Sequence, residues 1–177
     1  SEVKLIPNYF GIGTLGIVVF GAGNQNNESL INLVKRRAIE VVTPGVNIEV
    51  LHGVVVYLDF DIRVYIKKGL NLREKENIKS SIKEYVYRSL ENSERNRLIS
   101  FENISNYIKS TIPNKNIIGF GNSIGGTIFE KIYYRKSDRY EAFPEYREEI
   151  VSNIFPLEEE ERLGFGIVNI ILEESDT

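Results

Sequence analysis

Val54-Val55-Val56-Tyr57-Leu58-Asp59-Phe60-Asp61-Ile62-Arg63-Val64-Tyr65-Ile66-Lys67 alternates apolar and polar side chains almost without a break. Successive strand residues point to opposite faces, so Leu58, Phe60, Ile62, Val64 and Ile66 share one side. Tyr57, Asp59, Asp61, Arg63, Tyr65 and Lys67 share the other. The pattern predicts a long, half-buried antiparallel strand, dry on one face.

Working upstream, Gly13-Thr14-Leu15-Gly16-Ile17-Val18-Val19-Phe20-Gly21 reads as an apolar strand punctuated by glycine. A helix follows over about Glu28 to Val42, with Leu30, Ile31, Val34, Ala38, Val41 and Val42 as its apolar stripe. Asn26 or Asn27 can cap it, and Pro44 cannot continue it. Val46 to Leu51 then forms a short strand. His52-Gly53 marks a turn or bulge, and the two strands around it are expected to pair as a hairpin.

Downstream, Asn71 followed by Glu74 has the spacing of a capping box. The helix it opens buries Ile78, Ile82, Tyr85, Val86 and Leu90. Asn92 to Asn96 reads as a polar loop. Ser100 can cap a third helix with Phe101, Ile104, Ile108 and Ile112 inward and Pro113 beyond its end. Asn116 to Phe120 is a last apolar strand of this run, Ser123 to Gly126 is linker-like, and strands are expected at Thr127 to Tyr134 and at Phe165 to Leu172. The fold class is therefore α+β: an antiparallel sheet with helices packed on one face, plus a C-terminal extension. The expected domains are residues 1–122 and an extension over 123–177.

The totals narrow the function. A chain of 177 residues can bury one solid core, or one domain plus an extension. A net charge of −3 argues against a nucleic-acid surface, which needs clustered Lys and Arg. With no cysteine and one histidine, disulfide and thiolate chemistry are excluded and a zinc site is not expected. No apolar run is long enough for a membrane helix. The chain has no methionine and opens on Ser-Glu-Val-Lys, which reads as a piece of a longer protein.

Gly11-Ile12-Gly13-Thr14-Leu15-Gly16 spells GxGxxG, but its glycines precede a strand instead of opening a helix, so the dinucleotide reading fails in context. Gly21-Ala22-Gly23 sits better, between strand and helix, where a helix N-terminus can hold an anion; the plainer account is a turn needing positive φ. Asp59 and Asp61 share a face with Arg63 and Lys67, which suggests a solvated strand face with cross-strand ion pairs more than a metal or acid–base pair. His52 has no partner at a motif spacing, and Glu158 to Glu161 reads as a solvated acidic run. Tyr133, Tyr134, Arg139, Tyr140, Phe143, Tyr146 and Arg147 form a cluster of the residue types enriched where proteins meet. It is either an interface or a tail packed on its own sheet.

The order of elements over roughly residues 11 to 122 resembles the baseplate J-like family of contractile tails. The likeness lies in Gly13-Thr14 followed by Gly16 to Val19, in Pro44-Gly45 before Ile48 and Val50, in the amphipathic strand Leu58 to Ile66, in the helix pair from Asn71 to Ile112, and in the strand Ile117 to Phe120. Where the family commonly has a proline before Gly-Thr, this chain has Ile12. The resemblance implies a non-enzymatic wedge component of the virion tail baseplate, assembled in the host cytoplasm. It implies pairing with another copy in a two-fold dimer, contacts with other wedge proteins, and a ring around the tail hub. It brings no catalytic residues, no cofactor and no metal, and implies neither nucleic-acid nor membrane binding. Two other classes stay open: a small nucleotide-binding α/β domain using the turn from Gly21 to Asn26, and an adaptor that binds peptides by strand addition.

Overall fold

The computed structural model describes residues 2–20, 28–113, 115–121, 126–137 and 146–176. The fold is α+β, with three helices among the described residues and mostly antiparallel sheets. It divides into two compact units, the first drawn from Ser1–Val56, Lys136–Glu145 and Glu158–Arg162, the second from Tyr57–Arg135, Tyr146–Leu157 and Leu163–Thr177.

The first unit is built on a three-stranded sheet of β1 (Glu2–Pro7), β2 (Thr14–Phe20) and β3 (Asn47–His52), in that order, with α1 (Glu28–Val41) between β2 and β3 in sequence. β1 runs antiparallel to β2, and β3 runs parallel to it. β2 is buried on both faces, as a continuous apolar run allows. Its Ile17 and Val19 pack with Ala38, Leu30, Val34, Ile48 and Val50. Its Val18 and Phe20 pack with Ile6, Tyr9 and Leu51 on the other side. Val41, expected in the helix stripe, is 82% exposed at the helix end. The caps proposed at Asn26 and Asn27 lie outside the described residues.

The expected hairpin around His52-Gly53 does not form. β3 pairs with β2 instead, and α1 is the crossover that parallel pairing requires. Gly53 is the only residue between β3 and β4 (Val54–Lys67), too few for a hairpin, whose tightest common loop has about two. Gly53 N continues the pairing by donating to Val19 O at 2.9 Å, and Val54 N turns away to Glu160 O at 2.9 Å.

In the second unit the alternation of β4 is kept in full. Leu58, Phe60, Ile62, Val64 and Ile66 are all buried, and the Phe60 ring lies 4.7 Å from Phe129 and 6.1 Å from Phe101. α2 (Leu72–Glu94) opens on the expected capping box: Asn71 Oδ1 accepts from Glu74 N at 2.9 Å, and Glu74 Oε2 from Asn71 N at 2.8 Å. Ile78, Ile82, Val86 and Leu90 form its buried face. The helix runs through Asn92 and Ser93, expected as loop, and the chain reverses at Arg97, where φ is 58°. β5 (Leu98–Ser100) follows, and Ser100 caps α3 (Phe101–Thr111), as expected.

β6 (Ile117–Phe120) pairs antiparallel with β4. The remaining strands are β7 (Phe129–Lys136), β8 (Glu148–Glu149), β9 (Ile154–Pro156), β10 (Glu161–Gly164) and β11 (Val168–Ser175). β7 and β11 both join β4, and β9 pairs with β5, so residues beyond 126 are woven into the sheets. β11 lies parallel to β4, with Val168 opposite Phe60, Ile170 opposite Ile62 and Leu172 opposite Val64. This register keeps apolar residues of both strands on one face, and a slip of one residue would expose them.

Candidate functional site

The polar face of β4 carries the largest departure from expectation. Asp59 is not solvated; it is 2% exposed. Its Oδ1 accepts from an Arg135 guanidinium nitrogen at 2.8 Å and from Ile167 N at 2.8 Å. Arg147 approaches Oδ2 at 3.7 Å. Alternation alone gives Asp59 the same reading as Asp61, because its partner Arg135 lies on β7, far away in sequence. The Ile167 bond follows a close backbone approach. A Cβ at Gly166 would sit 1.9 Å from Leu58 O, so only glycine allows the chain to pass there.

Asp61 and Arg63 fit the cross-strand account better. Asp61 Oδ1 accepts from Asn169 Nδ2 at 3.2 Å. Arg63 bonds Glu130 at 3.2 Å and also pairs with Glu173. The Glu130 hydrogen bond is the leading reason that the Arg63 guanidinium is held above its ordinary pKa. The pairs Asp59–Arg135 and Arg63–Glu130 show β7 descending as β4 ascends, so these two strands run in opposite directions.

The tyrosine and arginine cluster is brought together only in part. Tyr133 and Tyr134 stand on β7. Arg147 stacks over the Tyr133 ring at 4.0 Å, and Tyr134 lies 5.2 Å from Phe155 and donates to Glu148. These contacts lie within the chain, to β8, to the residue before it and to β9 of the two-stranded sheet. Tyr146 is 77% exposed. Arg139, Tyr140 and Phe143 lie outside the described residues.

The acidic run is also more than a solvated loop. Glu161 is 4% exposed and binds Lys136, while its Oε2 accepts from Glu158 N at 2.9 Å. Glu159 pairs with Lys4 at 2.8 Å, and Glu160 accepts from the Tyr9 hydroxyl at 3.1 Å. β1, to which Lys4 belongs, was not anticipated from the sequence; its signal was the alternation of Val3, Leu5 and Pro7 with Lys4.

Gly11 and Gly13 lie in the loop from β1 to β2 with φ of 117° and 84°, a hairpin role with no helix at hand for a phosphate. Gly21, Gly23 and Asn26 lie outside the described residues. His52 ends β3. Among the described residues no group of three or more His, Cys, Asp or Glu is placed to hold a metal ion, and no helix is long and apolar enough to cross a membrane. An open groove of about 330 Å³ beside α3 and β6 is lined by Lys109, Ile112 and Ile117 to Phe120; its one charged group, Lys109, donates to Gly126 O at 3.2 Å. Among the described residues the arrangement supplies packed ion pairs and aromatic contacts.

No family model matches the chain, and no curated protein matches it.

Proposed function

We propose that the chain is a structural component of a contractile-tail baseplate wedge, in the virion tail, that associates with itself and with other wedge proteins. The observation that carries this reading is the order of elements. β2, α1, β3, β4, α2, α3 and β6, with the short β5 added between the last two helices, come in the order on which the likeness to the baseplate J-like family rests, each of the expected elements within a few residues of its expected bounds. An antibody raised against the chain tests the proposal. It should label the end of isolated contractile tails from the source of the sequence; unlabelled tails in which the chain is otherwise present would overturn it.

One observation favours the second reading, a nucleotide-binding domain. β2, α1 and β3 form a parallel strand–helix–strand unit, the setting in which a glycine-rich turn before a helix meets a phosphate. Thermal melts with ATP, ADP or NAD separate the two, because a ligand that binds only the folded state raises the melting temperature. The structural role predicts no shift.

A further inference from the structure

β11 is fastened to the sheet in two different ways along its length. Among the described residues it pairs with β4 alone, so its outer side carries no strand. Phe60 N donates to Ile167 O at 2.8 Å, which turns the backbone groups of the odd-numbered residues of β11 to β4.

The first half is held by burial. Val168 is 4% and Ile170 7% exposed, opposite Phe60 and Ile62. Just ahead of them the Ile167 amide donates to the buried Asp59. Lifting this half uncovers apolar surface and takes a donor from a buried carboxylate, and both changes are costly.

The second half is held by charge. Leu172 is half-buried and is the last apolar residue of the strand. Beyond it Glu173 pairs with Arg63 on β4, Glu174 with Lys75 on α2 at 2.7 Å, and Asp176 with Lys68 at 2.5 Å. Three carboxylates therefore meet three cations. The carboxylate side chains are 42%, 41% and 79% accessible in that order. Water takes over such charges as the strand lifts, and exposed pairs hold weakly and are screened by salt. Arg63 keeps a carboxylate even then, because Glu130 on β7 bonds it at 3.2 Å.

We propose that the second half of β11, from Leu172 to Asp176, is an ionic clasp that opens and closes on β4 while the first half stays in place. The register defines what opening uncovers. Leu172 lies opposite Val64 and Ser175 opposite Lys67, so the side of β4 between those two residues loses its partner. A strand edge freed in this way is ready to pair with another extended segment. The clasp is independent of the assembly role, which stands or falls on its own experiment.

Hydrogen exchange of the whole chain, followed residue by residue at low salt and at about 0.5 M sodium chloride, tests the clasp. The Glu173 and Ser175 amides should exchange faster than those of Asn169 and Ile171. Salt should speed Glu173 and Ser175 by about threefold to tenfold, the scale of three exposed pairs, and leave the other two amides as they were. Changing Lys68→Gln and Lys75→Gln together should reproduce the salt effect at low salt and leave little for salt to add. Unchanged Asn169 and Ile171 amides in that variant show that its fold is intact. One common rate for all four amides at both salts overturns the proposal, because β11 then opens only as a whole. Glu173 and Ser175 amides that respond neither to salt nor to the lysine changes overturn it too.

Discussion

Replacing Asp59 by alanine should cost far more stability than replacing Asp61, although the two lie on the same face of the same strand. The Asp59 side chain is 3% and the Arg135 side chain 4% accessible. Asp59→Ala strips Oδ1 from both Arg135 and Ile167 N, so a buried guanidinium loses its carboxylate. Breaking a buried pair by removing one partner costs about 3–5 kcal/mol. Asp61 is half-buried and gives up one 3.2 Å bond to Asn169, so Asp61→Ala should cost under about 1 kcal/mol. Urea melts of both variants measure the difference through the midpoint at constant slope. A double change of Asp59 and Arg135 to apolar residues of similar volume should recover part of the loss, the share that comes from burying one charge without the other, while the Ile167 amide still lacks its acceptor. If Asp59→Ala melts within about 1 kcal/mol of the parent, the charge is not buried as described.

Phe60→Ala should cost about 3–5 kcal/mol, because its fully buried ring packs against both Phe101 and Phe129; a smaller loss in the same melts would mean that the site collapses around the gap. Gly166→Ala should destabilise the strap before β11, which hydrogen exchange of the Ile167 and Val168 amides would register as faster opening; unchanged exchange contradicts the close approach to Leu58. Ile12→Asp should leave the melting curve within about 0.5 kcal/mol of the parent, since the residue is fully exposed. Tyr87 should ionise above the ordinary value of 10.0, chiefly through burial and secondly through the Asp59 charge. The folded pKa is raised, so its contribution to stability is whole below the unfolded value and is lost as pH climbs through the folded one. Ultraviolet titration that places all tyrosines at or below 10.0 would contradict this.

How much was legible follows from where the information lies. β4, the α2 capping box and the Ser100 cap were readable because each signal is local: alternation, and two residues at fixed spacing. The pairing of β3 was misread because turn residues such as His52-Gly53 suggest reversal, while the partner of β3 is chosen by packing of α1 on β2. The two carboxylates of β4 separate for the same reason. Asp59 meets Arg135 and the Ile167 amide, Asp61 meets an exposed Asn169, and nothing within the strand distinguishes them. In the aromatic cluster, composition marked Tyr133, Tyr134 and Arg147 as contact residues without revealing which residues of the chain they meet.

Electron cryomicroscopy of intact contractile tails that carry this chain tests its structural role most directly. The account predicts density at the baseplate into which the two units fit, with each copy touching another copy and a wedge partner. Tails whose baseplate contains no density for these units, while the chain is present elsewhere in the particle or the cell, would contradict it.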